Sequence, residues 1–101
     1  MGILHELNPS ELTIYLSGEL DHHMAHDAIL YIAQQISLNR RGVVTLDFSD
    51  VTFMDSSGLA VVLNAKRYVD RAGSHLKVQE VPSQAMKIFH AANLQKIISF
   101  V

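Results

Sequence analysis

The sequence predicts a single α/β domain with a mixed, mostly parallel sheet of about five strands and three main helices. One observation is that β-rich segments alternate along the chain with segments whose apolar residues recur every three or four positions. Another is that only a short polar turn joins the first two strand-like segments, so the N-terminal strand should be antiparallel to its neighbour. The length of 101 residues is that of one domain, which we assign to residues 1–101.

The first half of the chain begins with a predicted hairpin. Its strands are Ile3–Leu7 and Leu12–Ser17, a turn cluster of Asn, Pro, Ser and Glu joins them, and Gly18 ends the second strand. From Ala25 to Ile36 the apolar residues follow one face of a helix. The segment Val43–Phe48 is β-rich and is expected to be partly buried on both faces, as a central strand would be.

The second half repeats the alternation of helices and strands. Its predicted elements are a helix over Leu59–Arg71, a strand over His75–Val81, a helix from Pro82 to Ala92 and a closing turn and strand over Leu94–Val101. Parallel strands place the loops at their carboxyl ends along one edge of the sheet, where functional groups usually lie. The two loops concerned are residues 18–24 and 49–58.

Composition excludes several functions. The chain has no cysteine, which removes disulfides, thiolate metal sites and thiol nucleophiles. No apolar run approaches the roughly 20 residues of a membrane span, so we expect a cytoplasmic protein without a membrane partner. All eight basic residues lie at Arg40 or later, none lies between Arg41 and Lys66, and there is no tryptophan. This dispersed pattern argues against nucleic acid as a partner.

The turn Asp55-Ser56-Ser57-Gly58 lies at a predicted strand-to-helix junction. The structural interpretation is an N-cap, in which Asp or Ser accepts hydrogen bonds from the first helical N–H groups and contributes about 1 kcal/mol. The functional interpretation uses the same geometry. A phosphate on Ser57 would meet free N–H groups and the positive end of the helix dipole. Gly58 would leave room for a partner's backbone or nucleotide to approach.

Two segments closely resemble the signature of STAS-domain anti-anti-sigma factors of the sporulation type. They are Leu46-Asp47-Phe48 with Phe53-Met54-Asp55-Ser56-Ser57-Gly58-Leu59, and Gly18-Glu19-Leu20-Asp21-His22-His23. The resemblance implies that Ser57 is a phosphoacceptor and that Asp21 lies beside it. One departure is Ala60, where many relatives have glycine.

The resemblance also implies partners. The unmodified protein would bind an anti-sigma factor that is also a serine kinase and free the sigma factor; phosphorylation would end the contact and a PP2C-type serine phosphatase would restore it. Such a protein has no catalytic residues, cofactor or metal of its own. The residues expected to contact the partner are Asp21, His22, Met54, Asp55, Ser56, Ser57, Gly58 and Leu59.

Acidic residues cluster in the predicted carboxyl-end segments, which contain no lysine or arginine. They are Glu19, Asp21, Asp47, Asp50 and Asp55. The unmodified surface should therefore suit a partner that presents arginine or lysine.

Four alternatives stay open. A metal site at His22, His23 and His26 is disfavoured because adjacent histidines should point apart. A serine hydrolase would need a Gly-x-Ser-x-Gly elbow, and the first glycine is missing. An aspartate-phosphorylated receiver is suggested by Asp47, which closes the predicted third strand, but no lysine precedes Lys66. A STAS module that acts only as a scaffold would keep the fold without the switch.

Overall fold

The computed structural model describes residues 2–101, so Met1 of the assigned domain lies outside the described residues. Five strands and three helices follow one another as β1 (Gly2–Leu7), β2 (Glu11–Leu20), α1 (His22–Leu38), β3 (Val43–Met54), α2 (Ser57–Ala72), β4 (His75–Gln79), α3 (Ser83–Ala91) and β5 (Ser99–Phe100), with a 3-10 turn at Leu94–Lys96. The sheet order is β1-β2-β3-β4-β5; β1 is antiparallel to β2 and the other pairs are parallel. The predicted fold is confirmed.

The strands have one apolar face and one polar face. Alternate residues such as Ile14, Leu46 and Phe48 are fully buried and form one core with the inward faces of the helices. Helix α3 joins this core through Phe89, whose ring meets that of Phe48 edge-on at a centroid distance of 5.7 Å. No helix within residues 2–101 is both long enough and apolar enough to cross a bilayer.

Strands β2 and β3 are longer than the sequence pattern predicts. Gly18 does not end β2: it has φ 87° at a shift of register, and the strand continues to Leu20. This is a bulge that the left-handed conformation of glycine permits. Strand β3 likewise passes Phe48 and ends at Met54.

The extension of β3 has a neighbour on one side only. Strand β4 ends at Gln79, which pairs with Asp47, whereas β2 follows β3 up to the pair Leu20 and Met54. The last seven residues of β3 therefore project beyond β4, and the ends of β2 and β3 lie side by side.

Candidate functional site

The two signature segments meet where β2 and β3 end. Leu20 pairs with Met54, and the N–H of Asp55 donates to the carbonyl of Leu20 at 3.3 Å. Asp21 and Asp55 follow directly on these neighbouring strands, so the starts of α1 and α2 lie next to each other. The parallel ladder is what places residues 34 positions apart in sequence at one site.

Asp21 begins α1 as its N-cap. Its Oδ1 accepts from the N–H groups of His23 at 3.0 Å and Met24 at 3.2 Å. The helix thus starts at His22, three residues before the apolar pattern becomes visible at Ala25. The half-buried Asp21 carboxylate is held by its own helix.

The imidazoles of His22 and His23 lie close together. Their ring centroids are 4.0 Å apart and their planes form an angle of 36°. The expectation that they point apart is wrong, because exposed side chains at the first turn of a helix can lean towards each other. Within residues 2–101 no three His, Cys, Asp or Glu side chains converge on a point where they could hold a metal ion.

The turn before α2 is closed by its own hydrogen bonds. Asp55 Oδ1 accepts from the N–H of Ser57 at 2.8 Å, while Ser56, the residue preceding the helix, has an αR backbone and no capping hydrogen bond from its side chain. The N–H of Gly58 donates to the carbonyl of Asp55 and that of Leu59 to the carbonyl of Ser56, both at 3.1 Å. Asp55, and not Ser56, thus supplies the side-chain hydrogen bond at the start of α2.

These bonds correct the expectation that a phosphate on Ser57 would find free N–H groups. The N–H groups of Ser57, Gly58 and Leu59 already have acceptors. A phosphate could use them only by displacing the Asp55 carboxylate or opening the turn.

Asp55 is a stable negative charge beside Ser57. The pKa of its carboxyl is lowered, first by the hydrogen bond from the Ser57 backbone, with smaller contributions from the Ser57 hydroxyl and from the backbone and charge of His22; slight burial opposes them. The ionised carboxylate thus lies at the start of α2, where it holds the Ser57 backbone.

The expected contact residues differ in exposure. Ser56 is exposed and Ser57 and Leu59 are half-buried, so these side chains can reach a partner. Met54 has no exposed surface and Gly58 is buried, so in the free protein neither offers a side-chain surface to a partner. Their expected contact with a partner stays a prediction.

Gly58 has a packing role in place of the expected open space. A Cβ atom at this position would lie 2.3 Å from Sδ and 2.4 Å from Cγ of Met54. The absence of a side chain lets the start of α2 rest directly on the Met54 side chain. Glycine is required here by the core below the turn.

Phe53 is an exposed apolar residue that the sequence analysis missed. It is 46% exposed and pairs with the exposed Glu19 at the end of β2. Beyond Phe48 the buried residues of β3 are Val51 and Met54, three positions apart, so the two-residue period of a strand does not predict the exposure of Phe53. Phe53 is thus a more exposed candidate for an apolar contact than Met54.

The acidic surface is smaller than predicted, because Asp47 is only 6% exposed and lies within β3. Its Oδ1 accepts from the N–H and the hydroxyl of Ser49 at 2.9 and 2.6 Å, and its Oδ2 from the amide of Gln79 at 2.8 Å. Asp47 therefore neither closes the strand, as the receiver hypothesis needs, nor joins the surface. Glu19, Asp21, Asp50 and Asp55 remain at least partly exposed.

Asp47 should make folding sensitive to acid. Burial raises the pKa of its carboxyl, but the hydrogen bonds from the Ser49 hydroxyl, the Gln79 amide and the Ser49 backbone together lower it further, to below its ordinary value. Its carboxylate therefore contributes stability above its unfolded pKa of about 3.9, and this contribution is lost as the pH falls through the lower folded pKa. Asp47→Asn should lose about 1–3 kcal/mol of unfolding free energy at neutral pH.

Urea denaturation of both proteins between about pH 7 and pH 3 tests this. The difference in unfolding free energy should be constant at neutral pH and shrink in acid. A difference that stays the same throughout this range would mean that the Asp47 carboxylate is not responsible.

Comparison with known proteins identifies the family. The family model described as Mlab, STAS domain, matches residues 3–99. The anti-sigma F factor antagonist of Paenibacillus polymyxa is 30% identical over 87 residues, which cover 86% of this chain and 74% of that protein. The anti-sigma-B factor antagonist of Bacillus subtilis (strain 168) is 25% identical over 92 residues, which cover 90% and 82%.

Solved structures agree in fold. The unphosphorylated form of the anti-sigma factor antagonist SpoIIAA superposes with a TM-score of 0.83 at 24% identity, over 99% of this chain and 88% of that one. The phosphorylated form of the Bacillus cell fate determinant SpoIIAA gives 0.75 at the same identity, over 99% and 91%. The family model, the relatives and the fold agree: the chain belongs to the STAS domain family, in which its relatives include anti-sigma factor antagonists.

Proposed function

We propose that this protein is an anti-sigma factor antagonist that acts in the cytoplasm and is switched off by phosphorylation of Ser57. In its unmodified form it binds an anti-sigma factor that is also a serine kinase, and the sigma factor is released. The observation that carries this proposal is the position of Ser57: half-buried at the start of α2, with its backbone held by Asp55, beside the loop that contains Asp21. Two relatives that are named antagonists support it.

A phosphoacceptor needs no catalytic group of its own. The kinase supplies ATP, the metal ion and the base that accepts the hydroxyl proton, and the acceptor has to hold one hydroxyl in line with the γ-phosphate. The Asp55 hydrogen bond and the buried Gly58 fix the backbone on both sides of the Ser57 hydroxyl. The site thus acts as a well-positioned substrate and not as an enzyme.

The partner would be released because the phosphate on Ser57 adds negative charge to the contact. A phosphate adds about −1.5 to −2 charges at pH 7. On Ser57 it would lie beside the ionised Asp55, and its own helix offers no free N–H group to neutralise it. In the complex it would face the phosphates of the nucleotide bound to the kinase. We propose that this repulsion, together with steric crowding, outweighs any new attraction to basic groups of the partner.

The test is incubation with the anti-sigma factor kinase of the same organism and ATP, followed by mass spectrometry. We expect one phosphate, on Ser57, and its removal by a PP2C-type serine phosphatase. Ser57→Ala should accept none, whereas the matched variant Ser56→Ala should be phosphorylated like the wild type. Phosphate on Ser56 would overturn the assignment of the acceptor. Absence of phosphate in the wild type would favour a scaffold role.

A further inference from the structure

The backbone of Met54 lies at an unpaired edge of the sheet. The N–H of Asp55 points towards β2, where it donates to Leu20. Successive residues of a strand point their backbone groups to opposite sides, so the N–H and carbonyl of Met54 point away from β2. On that side β4 has already ended, at Gln79. These two groups therefore have no strand to pair with.

A glutamine side chain takes the place of the missing strand. Gln84 Oε1 accepts from the N–H of Met54 at 2.9 Å, and Gln84 Nε2 donates to the carbonyl of Met54 at 2.7 Å. A primary amide offers the same donor and acceptor as a peptide group. Gln84 thus continues the hydrogen bonding of the sheet at the last residue of β3, 30 residues away in sequence.

The helix that carries Gln84 is firmly anchored. Gln84 is the second residue of α3, next to Ala85, which is 1% exposed. Phe89, one turn further on, is fully buried and contacts the rings of Phe48 and Phe100. Gln84 is itself exposed, but its amide is carried by a helix that is fixed in the core.

Met54 is thereby held in two ways. Its side chain is buried under Gly58, and both of its backbone polar groups are bound by Gln84. The next residue is Asp55, which holds the N–H of Ser57. From this chain of contacts we propose that Gln84 is a positioning residue for the phosphoacceptor turn: it fixes the orientation of the Met54 backbone and, through Asp55, the direction of the Ser57 hydroxyl. The inference rests on the proposed function.

Two substitutions distinguish the effect of the two hydrogen bonds from the effect of side-chain volume. Gln84→Glu keeps the size and can accept from the Met54 N–H, but an ionised carboxylate cannot donate to the Met54 carbonyl. Gln84→Met keeps a similar length and removes both bonds. Gln34→Glu is the matched control for charge, because Gln34 is exposed on α1, away from the turn.

Amide hydrogen exchange of the isolated protein and phosphorylation kinetics with the kinase form the test. In Gln84→Met we expect faster exchange at Met54 and Ser57. In Gln84→Glu, which can still accept from the Met54 N–H, we expect faster exchange at Ser57. In both variants the kcat for phosphorylation should be lower by about tenfold or more, since a misplacement of about 1 Å can cost about a hundredfold. The KM should change much less, and the far-UV circular dichroism should match the wild type. Gln34→Glu should behave as the wild type throughout.

The outcomes distinguish this inference from the proposed function. A wild-type protein that is not phosphorylated on Ser57 contradicts the proposed function itself. A wild-type protein that is phosphorylated, with Gln84→Glu showing the same kcat, overturns the role of Gln84 and leaves the switch intact. If Gln84→Met fails to fold, the result for Gln84→Glu alone decides whether Gln84 positions the turn. A lower kcat with unchanged exchange at Met54 and Ser57 would also contradict positioning.

Discussion

Ser57→Asp should bind the ADP-loaded anti-sigma factor kinase on the order of 100-fold more weakly than the wild type, or about 2.8 kcal/mol. The new carboxylate lies two residues from Asp55, whose lowered pKa keeps it ionised, and the N–H groups of Ser57, Gly58 and Leu59 already have acceptors. The added charge is therefore neutralised only weakly within the protein and repels the nucleotide phosphates. Titration calorimetry at two salt concentrations measures the effect, and part of the loss should disappear at high salt because ions screen charges.

Ser57→Asn is the matched control, since asparagine has nearly the size of aspartate and no charge. It should bind severalfold more weakly than the wild type at most, and Ser57→Ala should bind about as well as the wild type. Equal losses of affinity in Ser57→Asn and Ser57→Asp would show that crowding, and not charge, releases the partner. Ser57→Asp with wild-type affinity would contradict the proposed switch altogether.

The order of the elements could be predicted because it depends on local patterns. Alternation along Leu12–Ser17 and the helical spacing from Ala25 to Ile36 reflect burial on one face, and burial follows from the period of the element. The turn at Ser57 could be located for the same reason, because it lies where a strand pattern gives way to a helical one. These features need no knowledge of distant residues.

The ends of β2 and β3 could not be predicted in this way. Ser49, Asp50 and Thr52 are typical of a loop, yet they belong to β3 because β2 supplies hydrogen-bond partners along that stretch. The local pattern therefore ends the predicted strand at Phe48. Beyond it the buried residues are Val51 and Met54, three positions apart, so the two-residue period that marks a strand is absent there.

Contacts between distant segments explain the other differences. The buried Asp47 carboxylate is satisfied by Gln79 of β4, which donates to it, and the hydrogen bonds from Gln84 to Met54 bridge two elements. Such pairs leave no trace in local spacing. The residues of the turn were therefore predictable, whereas the groups that hold the turn in place were not.

Gly58→Ala should destabilise the protein by about 1–2 kcal/mol. Its Cβ would come within 2.3 Å of the Met54 Sδ, and Met54 has no exposed surface into which it could move. Overpacking of a core costs about 1–3 kcal/mol, and the better helix propensity of alanine returns at most about 1 kcal/mol. The start of α2 should also be displaced, so binding of the kinase should weaken in parallel. Urea denaturation and titration calorimetry measure the two effects.

A double-mutant cycle with Met54→Ala shows whether the two residues act on each other. Met54→Ala alone should cost about 2–5 kcal/mol through the cavity that it leaves, but in the double variant the alanine at position 58 no longer clashes. The combined loss should be smaller than the sum of the single losses by at least about 1 kcal/mol. Gly42→Ala is the control, since its Cβ would come no closer than 4.0 Å to the Ser10 carbonyl, and it should cost little. Additive losses would mean that Met54 does not support the turn, and the position of Ser57 would then depend on Asp55 and Gln84 alone.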